Sequence, residues 1–531
     1  MKIFNIFVLM LLYTTLILAQ GNDKNNPDVE LPDFVITGKD VISLQKSAKI
    51  DPGIISTISG DFLKPIPSTE DLKVADLSNP IKNQINLVDT QNVYNTRLSI
   101  GTGLYSSPAG SFSFSQPFSS GILGAVINGE NHRAYIDNSD WYKLNGEMTL
   151  TFYVPNDAAL KGTQISFRGG YGLNAYKLYA SSNPTEKRNY YSGNYYAGIS
   201  NLISRYFNFD LHASDKYTFL RSENLSENLL RLYSYLKGDF QYFDLAVNIN
   251  YAKQFITNSV VSSDSYDYIF ARPYIQFDLA NSLNIAGGVS YSKSGSLNYT
   301  APYATIALKL NNFISLYGEY NPSAEFLGQG DFLEQNKYYN PQIFPNAFVK
   351  KTSAFKAAIK YQYYKYYEID AGIKYFNADN LPFFVTSARP GLFDVNFTEA
   401  KDYSGFVNFL FHNGPYGVFY ATIEYNYLRS SSGNVIPYSP KFNATMSYGY
   451  NFGFGLYFEP KLFFASESYT DINNVNKLNS YIDLGAKFAY KFGNNFSLNV
   501  ELSNLADKKN YKWNGYRDAP LDLLAGFTYK W

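Results

Sequence analysis

The last eleven residues of the chain alternate strictly between two sets of side chains. Read back from the C-terminus, one set is apolar throughout: Trp531, Tyr529, Phe527, Ala525, Leu523 and Leu521. The positions between them hold Lys, Thr, Gly, Leu and Asp. A period of two marks a β-strand with one apolar and one polar face. About ten residues is also the length that a tilted strand needs to cross a bilayer. Taken alone, the segment fits a soluble sandwich equally well.

The same alternation recurs along most of the chain. It is clear in residues 243–251, 367–375, 482–492 and 496–503. A soluble sandwich turns its polar faces to water and rarely sustains such a pattern over roughly 400 residues. A transmembrane barrel inverts the arrangement, because its apolar residues face lipid and its polar residues face a lumen. The sequence therefore predicts an all-β fold, a transmembrane antiparallel β-barrel.

The number of strands follows from the spacing of these segments. Residues 97–531 accommodate about 22 strands, with about 16 to 20 as alternatives, and single-chain bacterial barrels have an even number. If the last strand runs toward the periplasm, the short turns should lie at one end of the barrel and the long connections at the other. Short turns such as 311–312 and 450–451 all fall on the periplasmic side. The long connections, which fall on the external side, lie near residues 131–142, 321–350, 378–402, 466–480 and 506–520.

Composition supports a secreted membrane protein. The 531 residues include 45 Lys and Arg against 45 Asp and Glu, a balance that argues against nucleic acid as a partner. The 50 Tyr and 42 Phe match the aromatic girdles of a barrel. Residues 1–20 resemble a signal peptide, with Lys2 ahead of an apolar stretch. We expect residues 21–96, which are rich in Asn, Asp, Lys and Pro, to be a partly disordered periplasmic extension.

Catalytic chemistry is not indicated. The chain has no Cys, which excludes thiolates and Cys-based metal sites. His132, His212 and His412 are far apart in sequence, and the only local echo of a hydrolytic group, His212 to Asp215, lies within a predicted strand. Gly-rich pairs in strands lack the following helix of a phosphate loop. The sequence therefore predicts neither an enzyme nor a bound cofactor or metal.

Two segments resemble the barrel of the TonB-dependent outer-membrane receptors. The first is Asn340-Pro341-Gln342-Ile343-Phe344-Pro345, which is similar to the family's loop before a pair of strands, although Asn346 stands where an acid is usual. The second, more specific segment covers residues 503–516, where Asn-Leu-Ala-Asp-Lys-Lys-Asn-Tyr precedes the closing strand. The resemblance implies an outer-membrane protein of a Gram-negative-type bacterium that takes up a nutrient through the barrel.

A third resemblance concerns the N-terminal extension. The segment Asp33-Phe34-Val35-Ile36-Thr37-Gly38 resembles the box through which such receptors engage the TonB energy-coupling protein. A β-branched extended segment can add a strand to a partner's sheet. Receptors of this family carry a globular plug of more than about a hundred residues between this box and the barrel, and a barrel of this width is normally plugged. Residues 39–96 are too few for that plug, so the sequence predicts a relative without a full plug: an open or loop-gated pore, a receptor with a reduced plug, or one that receives its plug from another chain. A lipoprotein lid or a separate plug protein would then be a further partner.

Candidate ligand contacts lie in two of the long connections, because aromatic and charged residues on external loops are typical binding material. They are Asp331, Glu334, Lys337, Tyr338 and Tyr339 in the first, and Phe383, Phe384, Arg389 and Asp394 in the second. The C-terminal aromatics Phe527, Tyr529 and Trp531 are the predicted signal for the barrel-assembly machinery. The alternatives to receptor-type uptake are a passive porin-like channel and a structural barrel that anchors a partner.

Overall fold

The computed structural model describes residues 96–531, apart from residues 156–159, 203, 205, 258–263, 280–281, 342–346, 364–365, 413–416, 453 and 494. The strands of this part of the chain are β1 (Thr96–Gly103), β2 (Ser106–Phe118), β3 (Gly121–His132), β4 (Trp141–Tyr153), β5 (Gln164–Lys177), β6 (Lys187–Asn201), β7 (Phe207–Leu220), β8 (Leu225–Phe240), β9 (Phe243–Thr257), β10 (Asp264–Leu279), β11 (Leu283–Ser294), β12 (Leu297–Lys309), β13 (Ile314–Tyr320), β14 (Ser323–Leu327), β15 (Ala347–Tyr363), β16 (Tyr367–Thr386), β17 (Phe393–His412), β18 (Val418–Ser430), β19 (Phe442–Asn451), β20 (Leu456–Ala465), β21 (Ser468–Tyr469), β22 (Lys477–Leu478), β23 (Tyr481–Phe492), β24 (Phe496–Ser503), β25 (Tyr511–Trp513), β26 (Tyr516–Arg517) and β27 (Asp522–Lys530). One short helix, α1 (Gln329–Gln335), and a 3₁₀ turn (Arg221–Glu223) interrupt them.

The strands close into one antiparallel barrel. Each wall strand pairs with its neighbours in sequence, and β1 pairs with β27 to complete the circle. Strand β13 pairs with both β12 and β15 and completes the wall there, whereas β14 pairs with β15 alone and is not a further wall strand. The hairpins β21–β22 and β25–β26 lie outside this sheet. The wall therefore has 22 strands, which confirms the predicted fold and strand number.

The two faces of the wall are chemically distinct, as the alternation predicts. On β24 the apolar Leu498 is 50% exposed on the outer face, whereas Thr528 on the neighbouring β27 is 2% exposed on the inner face. Thr528 Oγ1 lies 2.8 Å from Ser99 Oγ and accepts a hydrogen bond from Asn499 Nδ2 at 2.9 Å. An apolar exterior around a polar interior is the arrangement of a barrel that spans a membrane.

The outer face should tolerate charge poorly. Leu484 on β23 is 39% exposed on the apolar exterior, whereas Lys487 on the same strand faces Glu459 and Glu501 across the inner wall. We expect Leu484→Arg to reduce the free energy of unfolding in lipid vesicles by about 2–4 kcal/mol, because lipid cannot solvate the guanidinium. Lys487→Gln, the matched inner-face variant, should cost far less in the same denaturant titration. Equal losses at both positions would contradict the inside-out arrangement.

The two ends of the barrel differ. Thr96 and Trp531 exchange backbone hydrogen bonds of 3.0 Å at one end, which we call the turn end because short turns such as 119–120 and 241–242 lie there. The long connections lie at the opposite end, the loop end, which faces outward by the general rule for these barrels. No helix within the described residues is long and apolar enough to cross a bilayer.

One predicted loop is wrong. Residues 378–402 are mostly strand, because β16 and β17 continue as a paired ribbon and only residues 387–392 form the turn between them. Phe383, Phe384 and Asp394 therefore lie in strands. The apolar run Leu381 to Val385 provides the physical reason, since it packs on both faces of the ribbon instead of meeting water. The predicted loop 321–350 likewise contains β14 and α1.

Candidate functional site

The connection between β13 and β15 folds back into the loop end of the barrel. We call its described part, residues 321–341, the mouth segment. Its strand β14 pairs with β15 on one side, but on the other it lies against the inner faces of β10 and β11. Tyr268 Oη donates to the carbonyl of Ala324 at 2.5 Å, and Ser290 Oγ donates to the carbonyl of Pro322 at 3.2 Å. Because these donors point into the lumen, the mouth segment lies inside the wall.

Helix α1 is held by a carboxylate of the wall. Glu227 on β8 accepts hydrogen bonds from the backbone nitrogens of Gln329 (2.7 Å) and Gly330 (2.6 Å), and also from Gln254. The first backbone N–H groups of a helix have no partner within it, and a negative charge there is favourable. At Gly330, an added Cβ would lie 2.4 Å from Thr218 Oγ1 on β7. The helix therefore sits as close to the wall as a residue without a side chain permits.

A charged network fixes the other side of α1. Lys216 Nζ on β7 lies 2.7 Å from Asp331 and 2.9 Å from Glu334, and Arg231 on β8 lies 3.4 Å from Asp331. Burial alone would raise the pKa of Asp331, but Lys216 and Arg231 hold it below its usual value. Asp331 also caps its own helix by accepting from the Gly328 nitrogen at 2.9 Å. These pairs tie α1 to two adjacent strands.

A buried arginine holds the chain after α1. Arg188 on β6 is fully buried and forms an ion pair with Glu223, which is itself only 4% exposed at its side chain. Its Nη1 donates to the carbonyls of Tyr339 at 2.8 Å and Lys337 at 3.3 Å, and Tyr176 Oη donates to the same Lys337 carbonyl. One guanidinium thus satisfies a carboxylate and two backbone oxygens, which suits its planar array of donors.

Aromatic rings surround the ammonium group of Lys337. Its Nζ lies 5.2 Å from the ring centres of both Tyr176 and Tyr338 and 5.9 Å from that of Trp141. Ring faces attract cations at such distances. Burial nevertheless lowers the pKa of Lys337 to about 8, with Asp518 acting in the opposite direction. The rings and Asp518 therefore offset only part of the cost of burying this ammonium group.

The external connections share an aromatic core with the mouth segment. Tyr338 stacks on Tyr516 of the β25–β26 hairpin with ring centres 3.4 Å apart, and Tyr516 Oη donates to the carbonyl of Gly391 at 2.7 Å. The core also contains Phe332, Tyr339, Phe384, Leu392 and Phe393, with Trp513 and Tyr438 packed against it. These connections therefore form a packed cap over the mouth.

The predicted ligand contacts occupy different parts of this cap. Asp331 and Glu334 lie on α1, Lys337, Tyr338 and Tyr339 follow it, and Asp394 accepts from Asn340 Nδ2 at 2.9 Å. Tyr338, Tyr339, Phe383 and Phe384 are buried, whereas the side chains of Glu334 and Arg389 are 47% and 42% exposed. Phe383 packs on the opposite face of the ribbon from Phe384. The structure thus unites most of the predicted residues but places few of them at a surface.

Sequence reasoning missed the residues that hold the mouth segment, namely Arg188, Lys216, Glu227 and Arg231 of the wall and Glu223 of the 3₁₀ turn. Four of them lie at inner-face positions of β6, β7 and β8, and Glu223 lies in the 3₁₀ turn after β7; no local pattern distinguishes them from other polar residues there. His212 on β7 lies 3.3 Å from Asp210 and stacks on Tyr233 at 4.6 Å, while Asp215 points to the outer face. The segment Asp33 to Gly38 lies outside the described residues. Tyr529 and Trp531 stack at 5.0 Å on the outer face of the turn end, and their role in assembly stays a prediction.

Comparison with known proteins establishes the fold. No protein-family profile matches the chain, and no curated protein does. Among solved structures, the FrpB iron transporter from Neisseria meningitidis superposes with a TM-score of 0.65 at 10% identity, over 84% of this chain and 83% of that one. The ferripyoverdine receptor of the outer membrane of Pseudomonas aeruginosa gives 0.62 at 13% identity, over 83% and 72%. The copper transporter OprC gives 0.61 at 12% identity, over 82% and 80%.

These neighbours and the apolar exterior lead to the same conclusion about location. A closed barrel with a lipid-facing surface satisfies every backbone group without water and is the form of bacterial outer-membrane proteins. The similarity covers most of this chain and most of each neighbour. The chain is an outer-membrane protein with the 22-stranded barrel fold of the TonB-dependent receptors.

Proposed function

We propose that the chain is a receptor-type transport protein that moves a solute through the barrel when the mouth segment is displaced. The observation that carries this proposal is the mouth segment itself, which enters the lumen and is fastened to strands β6, β7, β8, β10 and β11. A folded segment on that path is incompatible with free diffusion of a large solute past it. A regulated passage accounts for its anchoring better than a passive pore does.

The fold neighbours support transport as the class of activity. The names of three of them describe transporters or receptors for iron, ferripyoverdine and copper. We propose that this chain likewise takes up an external solute. Glu334 and Arg389 are accessible to a ligand on the closed cap, whereas contact with Tyr339, Phe383 or Phe384 requires the cap to open.

A depletion experiment tests this function and identifies the solute in the same measurement. Cells with and without the chain would grow in a complex medium, and mass spectrometry would compare what each removes. The proposal predicts at least one solute that only cells with the chain deplete. If no solute differs under nutrient limitation, the structural role of a barrel that anchors a partner becomes the better account.

Energy coupling through residues 33–38 forms part of the proposal. A strand-adding segment depends on its backbone N–H donors, and proline removes one. We therefore expect Val35→Pro to abolish energised depletion of the solute while leaving the amount of folded barrel in the membrane unchanged. Lys39→Pro, just beyond the segment, serves as the control. Depletion that persists in Val35→Pro and after collapse of the proton gradient would exclude coupling and favour a passive channel.

A further inference from the structure

A row of aromatic residues crosses the outer face of four strands near the loop end. Strand register places Phe355 on β15, Tyr375 on β16, Tyr403 on β17 and Tyr427 on β18 side by side. Phe355 and Tyr403 are each 49% exposed. Aromatic rings on a lipid-facing surface mark the boundary between acyl chains and head groups. Since the loop end faces outward, this row marks the boundary of the outer leaflet.

Two cations lie immediately beyond this row, and a third lies beside it. Lys401 and Arg429 are register partners on β17 and β18, two residues closer to the loop end than the tyrosines and on the same outer face. Lys441 precedes β19 and has its backbone level with Asn426 of β18, and its Nζ reaches to 5.6 Å from the centre of the Tyr427 ring. The three therefore stand at the level where lipid head groups begin. We call Lys401, Arg429 and Lys441 the basic patch.

The basic patch is assembled around one ring. Arg429 Cζ lies 3.9 Å from the centre of the Tyr427 ring, and Lys441 Nζ lies 5.6 Å from the same centre. The ring attracts both cations and orients them together. The Nε atom of Arg429 is buried without a hydrogen-bond partner within the described part of the chain. The guanidinium is thus positioned by stacking rather than by a carboxylate.

Nearby acids do not neutralise the basic patch. Within the described residues, none of its three cations lies within 4.0 Å of a carboxylate oxygen. Asp379, on the adjacent β16, is paired with Lys350 at 2.8 Å. Glu399 lies one outer-face position beyond Lys401 and forms no ion pair there. Three cations against one acid leave a net positive surface at the head-group level.

Elsewhere on the outer face, a cation near the loop end is neutralised by a carboxylate of the protein. Lys253 on β9 also faces outward near the loop end, and its Nζ lies 5.4 Å from the centre of the Phe255 ring. There, however, Asp267 on β10 lies 3.7 Å away and supplies the counter-charge. Lys253 thus resembles the cations of the basic patch in its ring contact and its place near the loop end, but a carboxylate of the protein neutralises it.

We propose that the basic patch binds the phosphate groups of a phosphorylated glycolipid of the outer leaflet. Phosphate oxygens accept paired hydrogen bonds from a guanidinium, and two ammonium groups beside it add point charges. The acyl chains of the same lipid lie along Phe355, Tyr403 and the apolar face below them. Cations at a membrane surface attract anionic head groups with a strength that grows with their number.

Native mass spectrometry of the full chain in detergent tests this proposal. The probes are a synthetic bisphosphorylated disaccharide glycolipid, the same glycolipid without phosphates, and inorganic phosphate as a competitor. The variants are Lys401→Gln/Arg429→Gln/Lys441→Gln and the control Lys253→Gln. We expect the triple variant to retain about a hundredfold less phosphorylated glycolipid than the unaltered chain, since each of the three cations contributes about a fivefold effect. Lys253→Gln should bind as the unaltered chain does.

Each alternative outcome overturns the proposal. Equal retention by the triple variant would show that the basic patch does not bind the lipid, and equal retention of the phosphate-free glycolipid would show that phosphate is not recognised. Displacement of the glycolipid by millimolar inorganic phosphate would identify a site for the free anion instead. Unchanged heat-modifiable migration on gels verifies folding of the triple variant. If it fails to fold, Arg429→Gln alone should still lose about fivefold.

Discussion

Oxidation of a Thr218→Cys/Gly330→Cys variant is expected to stop solute passage and to leave the barrel folded. Thr218 belongs to the wall and Gly330 to α1, and a Cβ on Gly330 would lie 2.4 Å from Thr218 Oγ1. Since Oγ1 is one bond from the Cβ of Thr218, the two Cβ atoms lie within about 4 Å of each other, and a disulfide needs Cβ atoms about 3.5–4.5 Å apart. Since the chain has no Cys, this bridge would be its only disulfide. Depletion of the solute should fall to the background of cells without the chain.

Reduction provides the internal control for this lock. Dithiothreitol should restore depletion to the level of the reduced double variant, whereas each single Cys variant should be insensitive to oxidant. A fully oxidised variant that still transports at the reduced rate would show that α1 stays in place during passage. The mouth segment would then not be the gate.

Removal of Arg188 should release the chain that follows α1. Arg188→Ala leaves Glu223 buried without its cation and the carbonyls of Lys337 and Tyr339 without their donor. Breaking a buried pair in this way costs about 3–5 kcal/mol. We expect that loss to appear as faster amide hydrogen exchange in residues 329–341, with little change in the wall strands. Solute leakage through the barrel should rise as the mouth segment loosens.

Two further variants serve as controls for Arg188→Ala. Lys477→Ala removes an exposed ion pair with Glu467 in another external connection, so it should leave amide exchange at residues 329–341 unchanged. Arg188→Lys keeps the charge but loses the planar donor array, so its exchange rates should lie between those of the unaltered chain and Arg188→Ala. Unaltered exchange at 329–341 in Arg188→Ala would mean that the aromatic core alone holds the mouth segment.

The wall of the barrel could be predicted because its information is local. A period of two distinguishes the two faces of a strand such as Phe496–Ser503 within a few residues. Repetition of that pattern along the chain indicates that the apolar face meets lipid and the polar face lines the lumen. The boundaries of β16 and β17 could not be predicted in the same way. Leu381 to Val385 form a continuous apolar run without alternation, and its two-sided burial depends on residues more than a hundred positions away, such as Trp513.

The candidate site depends on contacts that no local pattern encodes. Predicted loop residues such as Asp331 and Tyr339 do lie at the mouth, because external connections of a barrel must gather there. Their partners Arg188 and Lys216 are separated from them by more than a hundred residues, and their roles follow from where one connection folds. The sequence therefore indicated which end of the molecule carries the site, but it could not indicate that the mouth segment turns inward.

Single-channel conductance in planar bilayers tests the gating role of the mouth segment most directly. The measurement compares the barrel of residues 96–531 with the same barrel in which a short Gly-Ser linker replaces residues 328–341. Using this background removes any contribution of the N-terminal extension. If the mouth segment closes the lumen, its replacement should convert rare, small openings into large, steady conductance. Equal conductance of the two barrels would contradict the account, because the lumen would then be open or closed independently of the mouth segment.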